Sequence, residues 1–314
     1  MSLGTVAIAG AGGFLGRALL RRLAAAGVEL RLHAGPPGCL DAAALPGAVA
    51  FAIDDGVAVA GFLRGLGPKD CVVHLAGPPD IRASVRDPAQ CLRDHISGTA
   101  AVLAAAAAAG CAVVHVSSDA VYGAGRWARF QSEVPEETPL QPESPYAAAK
   151  RAAEEVVRAY ATVLPGLILR PANVYGPGAH PTTLIPELVG QALAGSPVRA
   201  RQPEAPFDPI HVDDVSAALE SAIRRVRTLP SGIAIDVGSG GWVRAGDLAL
   251  RIARLAQGGS PEPAPGPGEA RGRRASSLLG FTPAVGLDAG LVGCLTAASV
   301  GDFRNVGGRP ECAS

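Results

Sequence analysis

Tyr146 and Lys150 are the two side chains of this sequence best placed to act together on a proton. They are four positions apart and follow Pro145, and a proline at that place predicts that a helix begins here. Residues at i and i+4 share one helix face, so the phenol and the ammonium can meet at a single site. A nearby Lys⁺ favours the phenolate of a tyrosine, whose ordinary pKa is about 10. The pair is therefore predicted to exchange a proton with a substrate hydroxyl.

Two further candidates follow the apolar run Ala112–Ser117, which predicts a buried strand. Ser118 would stand at the end of that strand, where its hydroxyl can hydrogen-bond the same substrate oxygen as Tyr146. It could instead cap a turn. Asp119 comes next and is a second candidate acid or base, with capping of the loop as the equal alternative.

A glycine-rich loop, Gly10-Ala11-Gly12-Gly13-Phe14-Leu15-Gly16, lies between the apolar run Thr5–Ala9 and a predicted helix. In that context glycines let the backbone approach a pyrophosphate at the helix N-terminus, where free N–H groups and the helix dipole favour anions. This placement predicts a dinucleotide site rather than an ordinary turn. An oxidised nicotinamide bound there would also favour the phenolate of Tyr146. The predicted contacts come from Gly10, Gly13, Phe14, Leu15 and Gly16.

The end of the second predicted strand, Leu30–His33, bears on the identity of the dinucleotide. An NAD site normally has an acid there for the ribose 2′-hydroxyl, and here none is present. Without that carboxylate a 2′-phosphate is not repelled, and His33 could help to bind one. We therefore predict an NAD(P)(H) site that favours NADP(H). Asp54, after the third strand, could reach the adenine or could only cap the next helix.

Short β-branched runs alternate with Ala- and Leu-rich helical stretches over roughly the first 175 residues, which predicts an α/β fold with a doubly wound parallel sheet of the Rossmann type. The strand candidates are Thr5–Ala9, Leu30–His33, Ala48–Ile53, Cys71–Leu75, Ala112–Ser117, Leu167–Leu169 and Ile233–Val237. The helix candidates are Phe14–Ala26, Val57–Gly65, Ala89–Ala109, Tyr146–Leu164, Thr183–Ala194, Asp213–Arg227 and Ala245–Leu255.

The rhythm weakens after residue 175, and the sheet is expected to resume near Ile210 and Ile233. We therefore predict that residues 1–175, together with about 209–240, form the dinucleotide-binding domain. A small C-terminal α/β subdomain of residues 176–208 and 241–314 would bind the substrate, and Gly258–Gly268 is a Gly/Pro linker.

The composition argues against several other classes of protein. Lysine plus arginine and aspartate plus glutamate are equal at 28 each, so no overall charge would attract nucleic acid or a membrane surface. The six cysteines include no CxxC pair and no neighbouring histidine cluster, which argues against a disulfide framework and against a metal site. The longest apolar run is too short to cross a bilayer and we find no secretory leader, so we expect a cytoplasmic protein.

Six motifs stand in an order that resembles the extended short-chain dehydrogenase/reductases, in particular the NAD(P)-dependent sugar epimerase/dehydratase family. They cover almost the whole chain: the glycine-rich loop at 10–16, Asp70–Gly77, Ser117–Gly123, Pro145-Tyr146 with Lys150, Arg170–Gly178 and Ile210–Asp214. A homodimer that pairs through the helices at 89–109 and 146–164 is expected from the same resemblance, since alanine-rich faces allow close approach.

The resemblance also implies individual roles. Tyr146 would be the general acid/base, Lys150 would tune it and bind the nicotinamide ribose, and Ser118 would be the catalytic hydroxyl. Asn173 would bond the substrate's phosphate, or it could hold its own loop through an Asx-turn. The further residues implied to contact the cofactor are Leu75, Ala76, Gly77 and Pro171.

The chain departs from the family at positions that bear on substrate binding and proton transfer. His95 replaces an asparagine that props the active-site helix, so proton relay is expected to differ. Phe207 stands where the family has an arginine that grips a nucleotide diphosphate. A guanidinium suits phosphate oxygens, so other arginines could take over, unless they are only solvated surface groups. These are Arg199, Arg201, Arg271 and Arg273.

Ala120 follows Asp119, whereas the family's sugar dehydratases have an Asp-Glu pair, and an elimination that needs both an acid and a base is therefore disfavoured. Deoxysugar 4-ketoreductases of the family tolerate the missing glutamate. We therefore predict an NAD(P)H-dependent oxidoreductase that performs 4-ketoreduction of a nucleotide-activated (deoxy)sugar. The alternative is an NAD-dependent nucleotide-sugar 4-epimerase built from the same parts.

Two other hypotheses stay open. The first is a reductase of a non-nucleotide ketone, in which Phe207 would line an apolar pocket. The second is a non-catalytic scaffold that binds NADP(H), which would have no need of Ser118, Tyr146 and Lys150 together.

Overall fold

The computed structural model describes residues 3–37, 45–123, 138–259 and 275–300. The strands in these ranges are β1 (Val6–Ala9), β2 (Leu30–Gly35), β3 (Val49–Ala50), β4 (Cys71–His74), β5 (Ala112–Val116), β6 (Gly166–Pro171), β7 (Asn173–Tyr175), β8 (Pro206–Phe207), β9 (Pro209–His211), β10 (Ala234–Val237) and β11 (Val243–Arg244). Seven of them form one sheet in the order β10-β6-β5-β4-β1-β2-β3, and every neighbouring pair in it is parallel. The predicted doubly wound parallel sheet is confirmed.

The helices of the described ranges are α1 (Phe14–Ala25), α2 (Gly56–Leu63), α3 (Ile81–Arg86), α4 (Pro88–Leu92), α5 (Gly98–Ala109), α6 (Pro145–Ala159), α7 (Leu184–Leu193), α8 (Val212–Arg225), α9 (Ala245–Ala256) and α10 (Leu287–Ser299). The single helix predicted over Ala89–Ala109 is wrong in one respect, because a π-helical turn at Arg93–Ser97 separates α4 from α5. None of the described helices is long and apolar enough to cross a membrane.

Two helices were not predicted, and both have a physical reason. α3 has only six residues, too few to show a helical period. α10 contacts its neighbours partly through glycine, because a Cβ on Gly290 would collide with the ring of Tyr175. The buried face of α10 therefore has a glycine at a position where a large apolar residue would contribute to the helical period. The periodic signal of α10 is therefore weak.

Each face of the central sheet is covered by its own set of helices. Val6 and Ile8 of β1 pack with residues of α1 and α8 in one apolar cluster. Ala7 and Ala9, which alternate with them, pack with residues of α2, α5 and α6 on the other face. This alternation is the period of two expected of a strand buried on both sides.

The chain after residue 172 builds smaller units beside the central sheet. β10 lies next to β6 at the edge of the central sheet, as the sequence predicted near Ile233. The prediction that the sheet also resumes near Ile210 is wrong, because β9 pairs with β7 in a separate two-stranded sheet in which Val174 faces Ile210. The edge beside β6 is already occupied by β10, so β9 has no place there.

A third apolar cluster joins α7, α9 and α10. β8 pairs with β11 as a short antiparallel ribbon beside it. The division of the chain into a dinucleotide-binding domain and a substrate subdomain stays a prediction. Most of the predicted linker Gly258–Gly268 lies outside the described residues, as do Arg271 and Arg273.

Candidate active site

The predicted site residues lie at the carboxyl ends of neighbouring parallel strands. The glycine-rich loop follows β1, Leu75–Gly77 follows β4, and Ser118 stands two residues after β5. Pro171 is the last residue of β6. In an open α/β sheet this edge forms the ligand crevice. The crevice lies where the strand order reverses, which in this sheet is between β1 and β4.

The glycine-rich loop is shaped by close backbone approaches. Gly10 has a φ of 93° and Gly13 is the N-cap of α1. A Cβ on Gly16 would collide with the carbonyl oxygen of Gly10 and would lie 2.8 Å from the Cα of Ala11. The loop therefore passes tightly into α1 and leaves the first N–H groups of that helix available to an anion such as a pyrophosphate.

His33 does not stand where a 2′-phosphate could reach it, so that prediction is wrong. The side chain is completely buried. Its Nδ1 accepts a hydrogen bond from the N–H of Gly10 at 3.3 Å, its Nε2 lies 3.0 Å from the carbonyl oxygen of Phe51, and its ring stacks on that of Phe51. Burial lowers the pKa of His33 and keeps the imidazole neutral. The residue supports the glycine-rich loop from below.

The helix cap that was one alternative for Asp54 is provided by its neighbour Asp55. Asp55 is the residue that caps α2, with its carboxylate accepting from the N–H groups of Val57 and Ala58 at 3.0 Å each. Asp54 is half-buried and makes no side-chain hydrogen bond to any of the described residues. A cofactor contact of Asp54 stays a prediction.

Tyr146 and Lys150 lie together on the buried face of α6, as the spacing predicted. The helix begins at Pro145, and the Ser144 hydroxyl accepts from the N–H of Ala147 at 3.1 Å. The Lys150 Nζ donates to the carbonyl oxygen of Val116 at 2.8 Å and lies 5.9 Å from the centre of the Tyr146 ring. The two functional groups therefore meet at the end of β5.

Burial changes the pKa of both members of this pair. Burial raises the pKa of Tyr146 to about 12, and a hydrogen bond with Ser118 only partly opposes the rise. Burial also lowers the pKa of Lys150 to about 8. In the protein groups alone, desolvation of the phenolate has the largest effect on the pKa of Tyr146, and the combined effect of the Lys150 ammonium and an oxidised nicotinamide stays a prediction.

Ser118 caps a turn, which was one of its two alternative roles, and its catalytic role stays a prediction. It is the N-cap of a 3₁₀ turn, Asp119–Tyr122, and its hydroxyl accepts from the N–H of Ala120 at 3.1 Å. The same hydroxyl hydrogen-bonds Tyr146. Asp119 is buried beside them, and Ser118 Oγ lies 3.5 Å from its carboxylate. A hydroxyl, a phenol and a carboxylic group therefore converge on one place.

His95 fills the space between Gly77 and Tyr146. It lies in the π-helical turn, its Nε2 is 3.2 Å from the carbonyl oxygen of Pro78, and its ring meets that of Tyr146 edge-on at 5.4 Å between centroids. A Cβ on Gly77 would collide with the imidazole. Burial, with Lys150 nearby, lowers the pKa of His95 to about 2. The ring is therefore neutral, and it contacts Tyr146 and Gly77 by packing rather than as a charged group.

The residues predicted to bind substrate are engaged within the protein. Asn173 Oδ1 accepts from the N–H of Asp208 at 3.4 Å, which matches the alternative in which Asn173 holds its own loop. Arg201 is exposed and pairs with Glu187 at 3.0 Å. Phe207 is half-buried against the third apolar cluster and faces Val243 across the β8–β11 ribbon. Substrate contacts of all three stay predictions.

A buried polar network beneath the catalytic groups was not predicted. Glu154 accepts hydrogen bonds from Arg170 and from Ser117. Arg170 also donates to the hydroxyl of Tyr122, and that hydroxyl donates to Asp236. The available signal was the position of Glu154 four residues after Lys150, on the same helix face. The partners of Glu154 come from other elements, which no local pattern reveals.

The fold and the site together define a Rossmann-type oxidoreductase with a tyrosine–lysine–serine centre. The model of the NAD dependent epimerase/dehydratase family matches residues 6–238. Over 313 residues, covering 90% of both chains, the protein is 31% identical to a dTDP-glucose 4,6-dehydratase of Streptomyces griseus. This chain belongs to the NAD-dependent epimerase/dehydratase family, as its motifs indicated.

Two further similarities cover different extents. A dTDP-glucose 4,6-dehydratase of Xanthomonas campestris pv. campestris is 35% identical over 159 residues, but the match covers only 46% of this chain and 44% of that protein. The structure of MoeE5 in complex with UDP-glucose and NAD is 28% identical, with a TM-score of 0.76, and the match covers 95% of this chain and 99% of that one. The similarity in fold therefore extends over nearly the whole chain.

Proposed function

We propose that this protein is an NAD(P)H-dependent 4-ketoreductase of a nucleotide-activated (deoxy)sugar. The observation that carries the proposal is the composition of the catalytic turn, where Ser118 and Asp119 stand beside Tyr146 and are followed by Ala120. Ala120 packs in the same small cluster as Tyr146, at the place where the family's dehydratases have a glutamate. The site thus has a proton donor for a ketone, whereas the described catalytic turn, Asp119–Tyr122, contains no glutamate to complete an acid–base pair with Asp119 for the removal of water.

The relative from Streptomyces griseus is a dehydratase, so the proposal assigns this chain a different reaction within the same family. Elimination of water needs one group to take a proton from carbon and another to give a proton to the departing hydroxyl. Reduction of a ketone needs only one proton, delivered to the carbonyl oxygen. Tyr146, with its pKa raised by burial, holds that proton at neutral pH.

The residues divide the work as follows. The glycine-rich loop would hold the pyrophosphate, Lys150 the nicotinamide ribose, and Leu75–Gly77 would lie along the dinucleotide. The reduced nicotinamide, when bound, supplies hydride to the carbonyl carbon. Tyr146 donates its phenolic proton to the oxygen, and Ser118 hydrogen-bonds the same oxygen as negative charge develops on it. The Lys150 ammonium stabilises the phenolate that remains.

A cleft of about 360 Å³ is a candidate place for the nucleoside end of the substrate. It is lined by Trp242, Arg244 and Arg251 among others, and Trp242 packs against Val121 and Tyr122 of the catalytic turn. Arg244 pairs with Glu204 at 3.1 Å and Arg251 with Asp288 at 2.6 Å. A diphosphate could exchange with these carboxylates, which would compensate for the family arginine that Phe207 replaces. That MoeE5 was solved with UDP-glucose supports a substrate of this class.

The preference for NADP(H) rests on one observation now that His33 is excluded. Residues 33–37, where β2 ends, contain no acid to repel a 2′-phosphate. Tenfold tighter binding of NADPH than of NADH would support this preference, and equal binding would contradict it.

We also propose that the protein forms a homodimer through α5 and α6. A single monomeric species in analytical ultracentrifugation would contradict the homodimer.

The deciding experiment has two parts. The purified protein is denatured and the released dinucleotide is measured, and the intact protein is mixed with NADPH or NADH and a 4-keto-6-deoxy sugar nucleotide while absorbance at the nicotinamide band is followed. An empty protein that oxidises the reduced cofactor supports the reductase. Stoichiometric bound NAD, with interconversion of 4-epimers in the absence of added cofactor, would establish the epimerase instead.

The variant Ala120→Glu tests the residue that carries the proposal. If the missing glutamate is what prevents elimination, this variant should form detectable 4-keto-6-deoxy product from a 4,6-dihydroxy sugar nucleotide, whereas Ala120→Gln, of equal size but without the acid, should not. Equal dehydratase activity in the unmodified protein would contradict the proposed function directly.

A further inference from the structure

Glu154 is a carboxylate that has no contact with solvent, one helical turn beyond Lys150 on α6. Arg170 of β6 binds it with two hydrogen bonds, from Nη2 to Oε2 at 2.6 Å and from Nε to Oε1 at 2.8 Å. Arg158 adds a third contact at 2.9 Å. A buried ion pair contributes little to stability compared with apolar residues of the same size, because both charges lose their hydration. Stability alone therefore does not account for this pair.

Two hydrogen bonds from consecutive residues fix the end of β5 to α6. The Lys150 Nζ donates to the carbonyl oxygen of Val116 at 2.8 Å. The Ser117 hydroxyl donates to Glu154 Oε1 at 2.6 Å. The next residue is Ser118. Lys150 and Glu154 are at i and i+4, so the helix face that carries Tyr146 also holds the two residues immediately before the catalytic hydroxyl.

The same network reaches the other segments of the site. Arg170 Nη1 donates to the hydroxyl of Tyr122 at 2.6 Å, and that hydroxyl donates to Asp236 Oδ2 at 3.0 Å. Tyr122 closes the 3₁₀ turn that begins at Asp119, and Arg170 directly precedes Pro171. Glu154 therefore stands at the point where the helix of the proton donor and the ends of β5 and β6 are joined.

We propose that Glu154 is a positioning residue for the catalytic centre: through Ser117 it fixes the place of Ser118, and its carboxylate, one turn along the same helix face, favours the charged form of Lys150. The catalytic part of this inference rests on the proposed function, whereas the electrostatic part concerns the protein alone. The two parts can therefore be tested separately.

The groups that act on the charge of Lys150 come from several elements. Burial lowers the pKa of Lys150 to about 8, while Cys91 of α4 and Glu154 act in the opposite direction. Glu154 is the carboxylate in this set, and its loss should lower the pKa of Lys150 further. The other titratable groups that interact with Lys150 or lie beside it are His74 of β4, His95 of the π-helical turn, His115 of β5 and the Tyr146 ring of α6.

The chain has only two lysines, Lys69 and Lys150, so the charge of Lys150 can be measured directly. Protein labelled with [¹⁵Nζ]lysine is titrated by NMR, with exposed Lys69 as an internal reference. In Glu154→Gln the midpoint of Lys150 should fall by about one pH unit or more, given a unit charge removed one helical turn away. The matched control is Glu155→Gln, which removes a neighbouring, exposed carboxylate that pairs with Arg158.

The same Lys150 midpoint in the Glu154→Gln and Glu155→Gln proteins would overturn the electrostatic part. The positioning part is tested with Ser117→Ala, which leaves the Glu154–Arg170 pair in place and therefore the fold intact. Its kcat should fall about tenfold, because the variant loses the charge-assisted hydrogen bond from Ser117 to Glu154. The dissociation constant for the dinucleotide and the Lys150 midpoint should stay unchanged. Ser117→Thr, which keeps the hydroxyl, should restore most of the rate.

A wild-type kcat in Ser117→Ala would show that Ser118 is held by other means and would overturn the positioning part. The rates are measured with whichever sugar nucleotide the wild-type protein converts. A wild type that performs no 4-ketoreduction therefore contradicts only the proposed function. The lysine titration needs no substrate and decides the electrostatic part of the role of Glu154 in every case.

Discussion

Replacing Lys150 with methionine should abolish activity and yet leave the fold at least as stable at pH 7. Lys150 is 5% exposed, and burial lowers its pKa from 10.5 to about 8. A shift of that size corresponds to about 3 kcal/mol by which the folded state disfavours the ammonium. Loss of the hydrogen bond to the Val116 carbonyl costs about 1–3 kcal/mol in the opposite direction. The methionine variant should therefore be more stable by about 0–2 kcal/mol.

The pH dependence of this difference is the stricter test. Because the pKa of Lys150 is lower in the folded than in the unfolded state, the unfolded chain binds more protons between about pH 8 and 10.5, and the stability of the wild type rises with pH in that range. The variant lacks this contribution. Its advantage over the wild type should therefore shrink by about 1.4 kcal/mol between pH 7 and pH 9.

Urea denaturation at pH 7, 8 and 9 and constant ionic strength, on protein freed of bound dinucleotide, measures the free energy of unfolding. Lys69→Met is the matched control, since it removes the other lysine of the chain at an exposed position. A Lys150→Met protein that is less stable than the wild type by about 3 kcal/mol at every pH would refute the reasoning.

Three further predictions concern catalysis and cofactor binding. Tyr146→Phe should lower kcat by about 10²–10⁴ while leaving the dissociation constant for the dinucleotide nearly unchanged, as measured by steady-state kinetics and fluorescence titration. His33→Gln should weaken NADPH and NADH binding by the same factor, because His33 supports Gly10 from below; a loss confined to NADPH would restore its role toward a 2′-phosphate. Gly16→Ala should abolish binding of both dinucleotides in the same titration, since its Cβ has no room, whereas Gly61→Ala, with nothing within 4 Å, should bind normally.

Much of the fold and of the site could be predicted because the relevant signals are local. The spacing of Tyr146 and Lys150 after Pro145 determines a helix start and a shared face, and both are observed. The glycine-rich loop likewise carries part of its own explanation, since Gly10 has a φ of 93° and a Cβ on Gly16 would collide with the backbone of Gly10 and Ala11. Patterns of this kind depend on φ, on close approach and on helical periodicity, which a short stretch of sequence contains.

The errors at the site share one physical cause, which is that burial cannot be read from a residue type. His33 was expected to face a phosphate, yet its neighbours Phe51 and Phe62 come from other segments and enclose it. Glu154 was overlooked because its partners Ser117 and Arg170 are 37 and 16 residues away. The strength of a polar interaction depends on how far it is desolvated, and desolvation is a property of the assembled fold.

Burial also determines the direction of proton transfer that the catalytic pair favours. The phenol of Tyr146 has its pKa raised to about 12 and the ammonium of Lys150 has its pKa lowered to about 8, so at neutral pH the site holds a protonated tyrosine beside a charged lysine. That state is the one needed to give a proton to a ketone as hydride arrives. The opposite reaction needs the phenolate, which the protein groups alone disfavour and which the positive charge of a bound oxidised nicotinamide would favour. The two pKa shifts therefore support the proposed reduction, whereas oxidation would depend on the positive charge of the oxidised cofactor.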